Sequence, residues 1–131
     1  MKTIITTGKR KTAIARATLK NGSGKILLNN IAIEVYEPAI ARLKLQEPLI
    51  LAGSLANKID VNINVTGGGF MSQTEAARLA LAKALVEKNE KLKEAFLNYD
   101  RQLLVADVRR KEAKKPNTRG KARAKRQKSY R

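Results

Sequence analysis

The sequence predicts an α+β domain, with helices lying against one face of a sheet, followed by an extended basic tail. Three observations carry this. Two stretches alternate apolar and polar residues with the period of two expected of a half-buried strand. A third, rich in Ala and Leu, repeats at helical spacing. The last 24 residues then change character, with twelve Lys and Arg against one Glu.

The elements follow in chain order. Across residues 12–20, Ala13, Ala15, Ala17 and Leu19 fall on one side of a strand, and Thr12, Ile14, Arg16, Thr18 and Lys20 on the other. Asn21-Gly22-Ser23-Gly24 is a turn signal, and Lys25-Ile26-Leu27-Leu28 reads as the returning strand of a hairpin. Asn29-Asn30 turns the chain again, into residues 31–35. Residues 38–52 predict two short helices interrupted at Pro48, because proline suits the first turn of a helix.

Residues 58–66 give the clearest strand: Ile59, Val61, Ile63 and Val65 alternate with Lys58, Asp60, Asn62, Asn64 and Thr66. One face is therefore apolar and the other polar. The strand ends at Gly67-Gly68-Gly69. The longest helix is expected to start from Ser72-Gln73-Thr74-Glu75, which has the spacing of a capping box. Its face of Ala76, Leu79, Ala80, Lys83 and Ala84, with Leu81 and Leu85 beside it, is small enough to lie close to the sheet. A further short helix is expected over residues 90–97.

Charge separates the two parts of the chain. The whole carries +17. Residues 1–107 hold sixteen basic and ten acidic side chains, whereas 108–131 hold net +11. The second part has almost no apolar residue larger than Ala, so taken alone it cannot bury enough surface to offset its ordering entropy. Pro116 and Gly120 interrupt any helix there. Two units are expected: a domain over 1–107 and a tail over 108–131.

An excess of this size points to a polyanionic partner, nucleic acid before an anionic membrane surface. The chain has no Cys and no His, which removes disulfides, the usual zinc sites and the commonest proton-transfer side chain. No run approaches the length of a membrane span, and the N-terminus lacks the pattern of a signal peptide. A soluble intracellular protein without cofactor or metal, and not an enzyme, is expected.

Each motif carries two readings. Gly67, Gly68 and Gly69 stand between strand and helix, where a loop can cradle phosphate. They match no nucleotide-binding pattern, and a tight turn at positive φ is the plainer reading. Contact with an RNA phosphate is the other. Asp100 and Asp107 are better placed to neutralise Arg101, Arg109 and Arg110, or to cap local structure, than to act as an acid pair. The cluster Gly8-Lys9-Arg10-Lys11-Thr12 is either a solvated strand connection or a phosphate contact.

The tail alternates charge with small residues through Arg119-Gly120-Lys121-Ala122-Arg123-Ala124-Lys125-Arg126-Gln127-Lys128-Ser129-Tyr130-Arg131. That pattern suits narrow RNA crevices, with guanidinium forks for phosphates and the Tyr130 ring for stacking. The rivals are a non-specific DNA-compacting nucleic-acid chaperone and a small nucleotide-dependent enzyme built on residues 67–69.

Four separated segments resemble a known family. They are Thr7-Gly8-Lys9-Arg10-Lys11-Thr12-Ala13-Ile14-Ala15-Arg16-Ala17, Val65-Thr66-Gly67-Gly68-Gly69, the run from Gln73 through Ala82, and the ending Gln127-Lys128-Ser129-Tyr130-Arg131. In that order they resemble the universal small-subunit ribosomal protein S nine family. The ending, with Leu103-Leu104-Val105-Ala106-Asp107-Val108-Arg109-Arg110-Lys111-Glu112 ahead of it, is similar to the archaeal and eukaryotic branch.

The resemblance implies a mixed sheet with a left-handed β-α-β crossover and a place on ribosomal RNA in the head of the cytoplasmic small subunit, beside other head proteins. It implies RNA contacts at Lys9, Arg10 and Lys11. It also implies a tail that reaches the peptidyl-site tRNA with Lys128, Tyr130 and Arg131. From the residues themselves we add the glycine loop of Gly67, Gly68 and Gly69 and the basic side chains of Arg16, Arg109, Arg110, Lys111, Lys114, Lys115, Arg119, Lys121, Arg123, Lys125 and Arg126 as RNA contacts. No self-association is expected.

Overall fold

Alternating strands that bury only one face need a cover, and the computed structural model provides it with helices on one side of a five-stranded sheet. It describes residues 3–36, 38–109, 113–117 and 122. The strands are β1 (Ile4–Arg10), β2 (Ala13–Asn21), β3 (Ile26–Leu28), β4 (Ile31–Ala32) and β5 (Ile59–Thr66). The helices are α1 (Ala39–Ala52), α2 (Phe70–Lys88) and α3 (Leu92–Tyr99), with 3-10 turns at Ile33–Val35, Gly53–Lys58 and Arg101–Leu103. The sheet order is β1-β2-β5-β3-β4, antiparallel throughout except for the parallel pair β3 and β5. The sheet is therefore mixed, and β3 connects through α1 to its parallel neighbour β5, a β-α-β unit.

The predicted β2–β3 hairpin does not form. β5 lies between the two strands, pairing with β2 over its whole length and with β3 on its other side. The turn residues are claimed by β5 as well: the amides of Gly22 and Gly24 donate to the carbonyls of Lys58 and Ile59, both at 2.9 Å. A strand arriving later with four β-branched residues facing the core displaces the local partner. The Asn29-Asn30 turn forms between β3 and β4, with both residues at positive φ (49° and 68°), as a tight hairpin requires. Asn29 also extends the β3–β5 ladder, since its side chain accepts from the Val65 amide at 2.8 Å and donates to the Val65 carbonyl.

β1 was not among the predicted strands. Its alternation is hidden because the positions facing the helices are Ile4, Thr6, Gly8 and Arg10, which are mostly not apolar. Each has a reason to be there. Thr6 Oγ1 donates to the Ala80 carbonyl of α2 at 2.7 Å. At Gly8 a Cβ would overlap the Ala76 carbonyl oxygen and lie 2.7 Å from the Ala80 nitrogen, so strand and helix meet backbone to backbone.

Two helix expectations are corrected. Residues 39–52 form one helix with Pro48 inside it, not two. An interior proline costs about 3 kcal/mol, but Pro48 shares the buried face of α1 with Ala41 and Leu45. Ion pairs along one flank, Lys44 to Glu75 and Glu47 to Arg78, join α1 to α2. The capping box also does not form. α2 begins at Phe70 behind Gly69, with no side-chain cap. Glu75, the would-be box partner, instead receives Arg10 and Lys44. α3 lies two residues later than expected.

The core is aliphatic, as composition required: Ile, Leu, Val and Ala from the sheet and α2, closed at one end by Phe96 and Leu103.

Candidate nucleic-acid interface

The side of the sheet away from the helices is open. Its residues are Ile5, Thr7 and Lys9 of β1, Ile14, Arg16, Thr18 and Lys20 of β2, and Asp60, Asn62, Asn64 and Thr66 of β5. Register arranges them in rows. Thr7, Arg16 and Asn64 lie side by side, as do Lys9, Ile14 and Thr66, and Lys20 lies beside Asp60. Lys9 and Arg16 therefore stand on one face, one row apart, with amide and hydroxyl side chains between them and the far strand.

Among the described residues of these three strands, the only carboxylate on this face is turned to internal use. Asp60 Oδ1 accepts the backbone amides of Ser23 and Lys25, both at 3.0 Å. Those bonds, Lys25 first, hold the Asp60 carboxyl below the usual carboxylate range. Gly22 packs directly on it, where a Cβ would overlap the carboxylate.

Arg10 is placed differently from Lys9. It points to the helix side and is half-buried, with Nε 2.7 Å from Glu75 Oε2 and its guanidinium on Asp107. Asp107 is 7 % exposed at its side chain and also accepts the amide, Nε and NH2 of Arg109. Of the two Asp expectations, the pairing of Asp107 with Arg109 is present. Asp100 caps the amide of Gln102, the other role expected, and pairs with Arg78 at 3.1 Å.

At one end of the open face the β1–β2 turn meets the glycine loop. Lys11 sits in that turn with φ 55°. Gly67 and Gly68 have φ of 77° and 70°, and a Cβ on Gly67 would come 2.6 Å from the Thr12 carbonyl oxygen. The turn reading of these glycines is thus sufficient to explain the first two. Gly69 has open space around it and leads the uncapped start of α2. Directly beside it, Phe70 is 56 % exposed. Sequence reasoning missed Phe70. Its exposure follows from its place in the first turn of α2, ahead of the residues that face the sheet, which the sequence pattern alone does not fix.

Lys114 and Lys115 are exposed beyond the domain. The remaining expected contacts, Arg110, Lys111, Arg119, Lys121, Arg123, Lys125, Arg126, Lys128, Tyr130 and Arg131, lie outside the described residues.

Fold and surface together define a small basic α+β protein with an open, cation-bearing sheet face, and the comparisons with known proteins resolve the class. A family model described as ribosomal protein S9/S16 matches residues 8–131. The chain is 58% identical to small ribosomal subunit protein uS9 of Methanococcus maripaludis and 55% identical to that of Methanococcus vannielii, in each case across the full length of both chains. The chain belongs to the ribosomal protein S9/S16 family. It is a ribosomal structural protein and not an enzyme.

Proposed function

We propose that the chain is a structural constituent of the small ribosomal subunit of the cytoplasm that docks the open face of its sheet on ribosomal RNA. In this reading Lys9, Lys11, Arg16 and the loop of Gly67, Gly68 and Gly69 meet phosphates, and Phe70 offers a ring to an unstacked base. Arg109, Arg110, Lys111, Lys114 and Lys115 continue the contact into the tail, with Arg119, Lys121, Arg123, Lys125 and Arg126 beyond. Lys128, Tyr130 and Arg131 reach the peptidyl-site tRNA. The partners are that RNA, the tRNA and neighbouring head proteins, with no membrane and no second copy of the chain.

The observation that carries the reading is the open face, where the cations are outward and the one carboxylate, Asp60, is occupied by backbone amides. Full-length relatives named as small-subunit proteins support it. No such face is needed by a non-specific charge coat.

The test compares Lys9→Ala/Arg16→Ala with Arg10→Ala in the full chain. The double variant is expected to lose about tenfold or more in affinity for small-subunit ribosomal RNA, with its melting temperature unchanged. Arg10→Ala is expected to lose about 1–3 kcal/mol of folding stability, because Asp107 is left buried with less counter-charge. Equal RNA affinity of the double variant and the wild type would exclude the open face as the interface.

A further inference from the structure

The chain is basic almost everywhere, yet residues 31–57 carry three acidic and two basic side chains, net −1, against +17 for the whole. This stretch also displays large apolar residues. Val35 is 66 %, Ile40 56 %, Leu43 61 % and Ile50 74 % exposed. Within α1, Ile40, Leu43 and Ile50 fall on the side away from the buried face of Ala41, Leu45 and Pro48. The helix is thus apolar on two sides, and only one is covered by α2.

Ile50 also lines a cleft of about 280 Å³, shared with Ile26, Ile33, Glu34, Gln46 and Leu49, where α1 passes the β3–β4 hairpin. The cleft has room for one large side chain and a carboxylate, Glu34, in its lining. Ile40, Leu43 and Ile50 on the outer face of α1 carry no charge, and one cation, Arg42, stands at its edge on the ridge of Gln46 and Leu49. An apolar surface in a stretch of net −1, with one cation at its edge, is a poor seat for a phosphate backbone. A second copy of the chain is disfavoured by its own +17.

We infer that the outer face of α1 and the adjoining cleft are a protein-docking surface. The occupant is an apolar segment of a neighbouring protein in the same particle. It inserts one large side chain beside Ile50 and sets a flanking Lys or Arg against Glu34. The inference rests on the ribosomal reading above for where the partner resides, but not on the RNA face, which lies on the opposite side of the sheet. The energetic pattern is that of a small interface with a central apolar anchor.

The experiment places p-benzoylphenylalanine at Leu43, or separately at Arg16, of the full chain in salt-washed small subunits, with the cross-linked products mapped by mass spectrometry. Leu43 is expected to join a peptide of another resident protein that combines apolar residues with a Lys or Arg. In the same subunits Ile50→Glu is expected to lower retention of that protein about tenfold, while the free variant binds ribosomal RNA as tightly as the wild type. Cross-linking from Leu43 to RNA, to a second copy or to nothing would overturn the inference, as would a polar or acidic partner segment or unchanged retention. If Arg16 fails to reach RNA while Leu43 reaches such a peptide, the RNA face is wrong and the docking surface stands.

Discussion

Lys9 and Arg10 are neighbours in one basic cluster, yet the pleat of β1 sends them to opposite faces of the sheet. Lys9 is exposed, and Arg10 is held between Glu75 and Asp107. A run of like charges read along the chain cannot separate these roles, because the separation depends on which strand face receives the helices. Asp60 is the converse case. An acidic residue in a basic surface looks like a defect until the Ser23 and Lys25 amides are seen to converge on it. Those bonds favour the ionised carboxylate and lower its pKa, so the charged form contributes stability above the ordinary carboxylate range. That contribution is lost as pH falls through the lowered folded-state value. Asp60→Asn is accordingly expected to melt below the wild type near neutral pH. The gap should close in strong acid, which thermal melts across a pH series would show. A gap that is constant with pH would assign the effect to packing against Gly22.

At the level of elements, β1 and α2 meet backbone to backbone. Gly8 admits the Ala76 carbonyl, and Thr6 bonds Ala80. Gly8→Ala is expected to force strand and helix apart at a cost of about 3 kcal/mol. Urea unfolding would record it as a lowered midpoint at constant slope. A midpoint within error of the wild type would mean that α2 slides freely on β1. The alanine stripe of α2 announced a close approach in the sequence, and residues 58–66 announced β5 by their alternation. The hairpin expected from Asn21-Gly22-Ser23-Gly24 did not follow, although the turn itself is present. Turn chemistry specifies a reversal, but not which strand will pair with the returning one. In the same way Pro48 stays inside α1 because the buried face and the Arg78 and Glu75 ion pairs outweigh the lost backbone bond.

For the whole molecule, the division of charge governs binding. A chain that neutralises 6–10 phosphates loses roughly 10³–10⁵ in affinity between 50 and 200 mM salt. Ending the chain at Asp107 removes twelve of its basic residues. Its RNA affinity is expected to fall, and the slope of log affinity against log salt is expected to become shallower by about 0.7–0.9 for each phosphate the tail had held. Binding titrations over a salt series would measure both. An unchanged slope would show that the tail contributes no phosphate contacts, and the domain alone would then account for the affinity.

Composition and pattern by themselves determined the α+β class, the aliphatic core, the strand β5 and the placement of most of the excess charge after Asp107. These depend on the residues' own chemistry and on neighbours two to four positions apart. Only the tertiary structure decided that β5 enters between β2 and β3, that β1 is a strand and that Arg10 pairs with Glu75 and Asp107. It also left Phe70 outward and the second face of α1 uncovered. Each of these turns on a contact between residues distant in sequence, and the energy of such a contact is absent until the chain has folded far enough to make it.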